Sequence, residues 1–148
     1  MNVKKWPVLI LAAVATMFAA EPSKEDTAAI KATALNYLEG WFSSDARRME
    51  QALHPNLTKY IVEKVKDTED EYLRGITADA MVAVTKNNAK WVEGKNYRTM
   101  DILYQDGRIA VIHAVSDGFY DIINLVKING QWKIIQVLWD RLPDGQEK

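Results

Sequence analysis

Two tight-turn dipeptides divide the second half of this 148-residue chain into strands. Asp106-Gly107 and Asn129-Gly130 favour hairpins, because these residue types tolerate a positive φ. Apolar and polar residues alternate on either side of both turns. This period of two predicts strands near 97–105, 108–116, 119–128 and 131–139. The second half of the chain therefore predicts an antiparallel meander.

The first half of the chain has helical periodicity instead. Apolar residues recur at helical spacing along a first helix, which Ser23 or Asp26 can cap and which runs to about Phe42. Asp45 caps a second helix, from Ala46 to about Leu53, which stops before Pro55. The residues of the apolar face of the first helix are Ile30, Ala34, Tyr37, Leu38 and Trp41.

The middle of the chain is less regular. Residues 56–74 mix apolar positions with a charged loop at 66–71, and Thr77 then caps a third helix, over about 78–87. Helices followed by a meander are typical of an α+β domain. We predict N-terminal helices packed on a curved antiparallel sheet, which would bury the helix faces and enclose a pocket.

The first twenty residues have the layout of a secretory signal peptide. Lys4 and Lys5 precede an uncharged run that ends at Ala20, and charged residues follow it. This apolar run is short for a membrane span, which needs roughly 20 apolar residues. The interpretation is a signal peptide at 1–20 and one domain at 21–148, exported to the periplasm or secreted. An uncleaved anchor and a buried first helix are the alternatives.

Composition excludes several functional classes. The chain has no cysteine, which rules out disulfides, thiolate metal sites and a cysteine nucleophile. Its net charge is -1, and the predicted mature domain would carry 17 bases against 20 acids. No basic run is present, so nucleic acid is not an expected partner. The two histidines lack metal-site spacing, and no nucleotide fingerprint occurs, so we expect no metal and no cofactor.

Several blocks in order carry a family resemblance. They begin with the run from Tyr37 to Phe42 and end with the run from Asn129 to Ile134 and with Val137-Leu138-Trp139. Together they resemble the putative lumazine-binding family of the nuclear transport factor 2-like superfamily, over about residues 26–140. The resemblance implies a cone-shaped, cystatin-like fold. It leaves the activity open, because this superfamily contains isomerases, dehydratases, cyclases and plain binding proteins.

The turn at Asn129-Gly130 predicts a strand register. A two-residue turn sets Asn124 opposite Ile135 and Tyr120 opposite Trp139, so these residues share one mostly apolar face. Asp121 then falls on the opposite, solvated or dimer-forming face. On the mostly apolar face, the Asn124 amide would need hydrogen-bond partners, supplied by a ligand or by backbone and water.

The candidate ligand-binding residues follow from these two periodicities. Tyr37 and Trp41 lie one turn apart on the helix face that should meet the apolar sheet face. We expect them to lie close to Asn124 and Trp139, and we expect Tyr120 to line the same cavity. Core packing is the alternative for these aromatic residues, and a structural cap is the alternative for His54, the sixth candidate.

Three functions remain open from the sequence. The first is an exported domain that binds a small hydrophobic or aromatic molecule in its pocket. The second is an isomerase, dehydratase or cyclase that uses a carboxylate or His54 as its base. The third is a non-catalytic interaction protein with a filled core.

An open sheet with one uncovered face also predicts a homodimer, and after removal of 1–20 no membrane span is expected.

Overall fold

The computed structural model describes residues 23–143, so the predicted signal peptide lies outside the described residues. The helices are α1 (Lys24–Phe42), α2 (Ala46–Ala52), α3 (Ala78–Lys86) and α4 (Ala89–Val92). The strands are β1 (Leu53–Lys64), β2 (Glu71–Thr77), β3 (Tyr97–Gln105), β4 (Ile109–Ser116), β5 (Phe119–Ile128) and β6 (Gln131–Arg141).

The predicted helix starts are confirmed by their capping contacts. The Ser23 side chain accepts a hydrogen bond from the backbone N–H of Asp26, and the Asp45 carboxylate accepts from two backbone N–H groups at the start of α2. The Thr77 hydroxyl caps α3 in the same way. Each contact satisfies a backbone donor that the first helical turn leaves without a partner. The short α4 was not predicted.

The strands form one six-stranded sheet in the order β2-β1-β6-β5-β4-β3. The four predicted strands form the meander β3 to β6, and Asn129 and Gly130 have the positive φ values of 50° and 77° that the predicted turn requires. The prediction of a purely antiparallel sheet is wrong in one respect. Residues 53–77 contribute β1 and β2, and β1 pairs parallel to β6, so the sheet is mixed.

The core lies between the helices and one face of the sheet, called here the inner face. Ile30, Ala34 and Leu38 of α1 are buried against sheet residues. Alternate residues of the central strands complete the core: Ala110, Ile112, Ala114, Ile123, Leu125, Ile134 and Val137. The N-terminus of α1 is fixed by Asp26, whose carboxylate accepts from Lys127 Nζ at 2.7 Å and from Trp132 Nε1 at 2.9 Å. The predicted α+β architecture is confirmed, with one side of the sheet covered by helices.

Candidate ligand cavity

A cavity of about 710 Å³ opens between the helices and one end of the sheet's inner face. It is bounded by α1, α3 and α4 on one side and by β1, β2, β5 and β6 on the other. Its aromatic lining residues are Tyr37, Trp41, Phe42, Trp91, Phe119 and Trp139. Such a volume is in the usual range of small-molecule pockets, and an aromatic lining suits a flat ligand.

The inner end of the cavity holds a buried ion pair. Lys59 of β1 and Asp121 of β5 lie 2.7 Å apart, and their side chains are 8% and 0% exposed. Lys59 also donates a hydrogen bond to the Tyr37 hydroxyl, which itself donates to Asp121 Oδ1 at 3.3 Å. The amine, the phenol and the carboxylate therefore form one hydrogen-bonded cluster contributed by α1, β1 and β5.

Burial shifts the pKa values of the amine and the phenol of this cluster. It lowers the pKa of Lys59, while the negative charge of Asp121 opposes that change. Burial also raises the pKa of the Tyr37 phenol well above its ordinary value, and the charge of Asp121 acts in the same direction. Tyr37 consequently stays protonated at neutral pH and acts as a hydrogen-bond donor.

Aromatic rings lie close to the Lys59 ammonium at the inner end of the cavity. Its Nζ lies 4.9 Å from the ring centre of Trp139 and 5.8 Å from that of Phe119. A cation over an aromatic face is stabilised by the negative face of the ring. Lys59 therefore has compensation from both a carboxylate and π-faces, which explains how a lysine can be buried here.

Charged side chains lie at the rim of the cavity. The guanidinium carbons of Arg74 and Arg141 are each 5.9 Å from the ring centre of Trp139. Both arginines donate to Glu63, with Arg74 Nε 2.9 Å and Arg141 Nη2 3.3 Å from carboxylate oxygens. Lys95 and Asp117 line another part of the rim, and Asp117 pairs with Arg98.

Three of the six predicted ligand-binding residues line the cavity, namely Tyr37, Trp41 and Trp139. Tyr37 and Trp41 lie together as the helix periodicity predicted, and Trp139 of β6 lines the same cavity. Asn124 and Tyr120 lie instead on the outer face of the sheet, away from the helices. His54 lies at the start of β1, outside the cavity lining, where its Nδ1 accepts a hydrogen bond from the backbone N–H of Asn56 at 3.1 Å.

A β-bulge explains why the predicted register is wrong. Ile128 faces Gln131 as predicted, but the register shifts between Asn124 and Leu125, so Asn124 faces Gln136 and Ile135 is the extra residue. A one-residue slip exchanges the two faces of a strand. Trp139 therefore shares the inner face with Asp121, which it faces directly, whereas Tyr120 faces Asp140.

Two polar contacts replace those that the predicted register implied. The Asn124 amide donates to Gln136 Oε1 at 3.2 Å on the outer face, and the Tyr37 hydroxyl bonds to Asp121 rather than to Asn124. The placement of Asp121 on a solvated face is thus corrected, since Asp121 is fully buried.

Sequence reasoning missed Lys59 and misplaced Asp121. The signal for Lys59 was present, because it interrupts the row of alternate apolar residues that continues with Leu57 and Ile61, both buried. A lysine within such a row must find a counter-charge. No sequence pattern indicated Asp121 as that partner. The bulge at Ile135 decides which face Asp121 takes, and no distinctive residue marks that bulge in the sequence.

Two further features of residues 23–143 bear on the function. No group of three or more potential metal-binding side chains occurs among them. No helix in this described part has the length and apolarity required to cross a bilayer.

Solved structures with the same fold define the class of protein. An NTF2-like protein of unknown function from Silicibacter pomeroyi has a TM-score of 0.63 and 20% identity, over 80% of this chain and 97% of that one. A domain of unknown function with a cystatin-like fold from Nostoc punctiforme has a TM-score of 0.64 and 12% identity, over 84% and 82% of the two chains. These similarities show an NTF2-like, cystatin-like fold.

A third structure, described as a putative scytalone dehydratase from Novosphingobium aromaticivorans, has a TM-score of 0.60 and 14% identity, over 80% of this chain and 85% of that one. A family model described as "Putative lumazine-binding" matches residues 25–140. The chain belongs to that family, which confirms the resemblance seen in its sequence. A search of curated protein sequences finds no match.

Proposed function

We propose that this chain is an exported domain that binds a small, flat, partly polar molecule in its cavity. The observation that carries the proposal is the cavity itself, about 710 Å³ with six aromatic lining residues. A filled core would leave no such space. The family is described as lumazine-binding. Lumazine is a flat heterocycle, so this description supports the same function.

Native mass spectrometry of protein purified from its own host tests this proposal. We expect a small molecule to be retained by the wild type and lost from Trp139→Leu, which removes an aromatic wall of the cavity. Tyr104→Leu is the matched control, because Tyr104 is exposed on β3 and does not line this cavity. Equal retention by both variants, or no bound molecule in any preparation, would count against a binding function.

An enzyme of the isomerase, dehydratase or cyclase type is a second candidate, favoured by one observation. Asp121 Oδ2 is buried and has no hydrogen-bond partner among residues 23–143. A carboxylate oxygen in a water-poor site can accept a proton. Asp121 is also one of the residues that line the cavity. Turnover that Asp121→Asn abolishes, with binding intact, would support this function over simple binding.

Export is proposed from the sequence of residues 1–20. We expect intact-mass measurement of the protein from its own host to show the loss of about 20 residues, because the charged and apolar segments are arranged as in a signal peptide. Recovery of the full-length chain starting at Met1 from the cytoplasm would contradict export.

A homodimer through the outer sheet face is a further proposal. One cross-strand row on this face contains Tyr60, Leu138, Ile122 and His113, and Leu138 is 47% exposed. A partly apolar sheet face that no helix covers suits an isologous dimer.

Light scattering tests the dimer. We expect a dimer mass for the wild type at micromolar concentration and a monomer mass for Leu138→Glu, because the new charge would be buried at the interface. Val65→Glu introduces the same charge in the loop after β1 and should remain dimeric. A wild-type monomer at high micromolar concentration would refute the proposal.

A further inference from the structure

The ligand's charge class is indicated by the ionised side chains of the cavity. Four cationic side chains line it, from Lys59, Arg74, Lys95 and Arg141, against the carboxylates of Asp117 and Asp121. The chain as a whole has a net charge of -1, so this excess of positive charge is local. A cleft lined by one sign of charge concentrates ligands of the opposite sign.

Internal pairing leaves part of this positive charge uncompensated. Asp121 compensates Lys59, and Asp117 pairs with Arg98. Arg74 and Arg141 share the single carboxylate of Glu63. Two guanidinium groups on one carboxylate leave a unit of positive charge and further N–H donors, at side chains that are 43% and 63% exposed.

The pKa of Glu63 indicates that this part of the rim stabilises an anion. Its pKa is lowered to about 2, mainly by the hydrogen bond from Arg74 and with smaller contributions from Tyr72 and Arg141. The local environment therefore strongly favours a negatively charged group. A ligand carboxylate that approached Arg74 and Arg141 would meet the same donors and compete with Glu63.

The aromatic surface lies directly beside these cations. Both guanidinium groups are 5.9 Å from the ring centre of Trp139, and Phe119 lies against the same indole with 6.0 Å between ring centres. A flat ring resting on this surface would carry its substituent toward the rim. Aromatic contact and charge recognition are thus available to one molecule at the same time.

We propose that the cavity selects planar aromatic anions, whose acidic group is bound by Arg74 and Arg141 while their rings contact Trp139 and Phe119. This inference rests on the proposed binding function and adds the charge of the ligand to it. Arg74 and Arg141 are then specificity-determining residues.

Two probes of similar shape distinguish the contribution of the charge to binding from that of the ring. Isothermal titration calorimetry of the intact domain with 2-naphthoate and with 2-naphthamide should show about 10-fold tighter binding of the anion, the value expected for a charge-assisted hydrogen bond. Raising the salt concentration should weaken binding of the naphthoate and leave the naphthamide unchanged.

Variants at the rim give effects of opposite sign. Arg141→Gln should remove most of the preference for naphthoate, and Glu63→Gln should tighten naphthoate binding several-fold, because it removes the competing carboxylate. Arg47→Gln is the control, since Arg47 is exposed on α2 outside the cavity. Glu63→Gln and Arg141→Gln change only groups at the rim, and a thermal melt verifies that each variant is folded.

The outcomes distinguish the two proposals. Equal binding of both probes, unaffected by the rim variants, would overturn the charge selectivity and leave the binding function standing. No binding of either probe up to millimolar concentration would overturn the charge selectivity as well, and it would contradict the proposed binding function if no molecule co-purified with the protein.

Discussion

Asp121→Leu is expected to lower the free energy of unfolding by about 3–5 kcal/mol, the usual cost of removing one partner from a buried ion pair. The substitution leaves the Lys59 ammonium, whose side chain is 8% exposed, without its carboxylate. It also removes the acceptor of the Tyr37 hydroxyl. Chemical denaturation followed by circular dichroism measures the loss.

Two further variants make this prediction specific. Asn124→Leu lies three residues away on the outer face and breaks a single amide contact, so it should cost at most about 1.5 kcal/mol. Lys59→Met combined with Asp121→Leu removes both charges and should recover much of the lost stability. If Asn124→Leu proved as costly as Asp121→Leu, the assignment of the two strand faces would be wrong.

Insertion of one alanine between Gln136 and Val137 is expected to disrupt the end of the sheet that forms the cavity. The bulge at Ile135 would remain, but every later residue of β6 would face the position of β5 one residue earlier in the chain, so Val137 and Trp139 would turn to the outer face. Turning out a large apolar side chain costs about 1.5–3 kcal/mol, and two would be exposed. We expect a strongly lowered melting temperature and loss of ligand binding.

An insertion elsewhere controls for the lengthened chain. One alanine inserted after Lys66, in the exposed loop between β1 and β2, should leave the melting temperature almost unchanged, since loops tolerate changes of length. An insertion after Gln136 as harmless as this one would show that the strand can slip without penalty, and that the register after the bulge does not define the cavity.

The sequence predicted most elements of the fold because their signals are local. Ser23, Asp45 and Thr77 cap helices through side chains that reach a backbone N–H two or three residues away. Asn129-Gly130 fixes a turn by its own φ preferences. Strands β1 and β2 were missed because their residues alternate less clearly, and because β1 pairs with β6, which is distant in the chain.

The candidate site was predicted only in part, for a related reason. Tyr37 and Trp41 were placed correctly, since α1 has no irregularity between them. Assignment of the sheet residues required counting along β6 through Ile135, and one extra residue reversed the result. The pair of Lys59 and Asp121 is a contact across 62 positions of sequence, which no local pattern reveals.

The parallel pairing of β1 with β6 has a consequence for the order of folding. In space, β6 lies between β1 and β5, although it is the last strand along residues 23–143. The β1–β2 hairpin therefore has no neighbour to join until the C-terminal strand has been synthesised. Contacts between distant segments slow folding, because loop-closure entropy is lost before they form. Until β6 is present, the β1–β2 hairpin and the β3–β5 meander have no strand that joins them into one sheet.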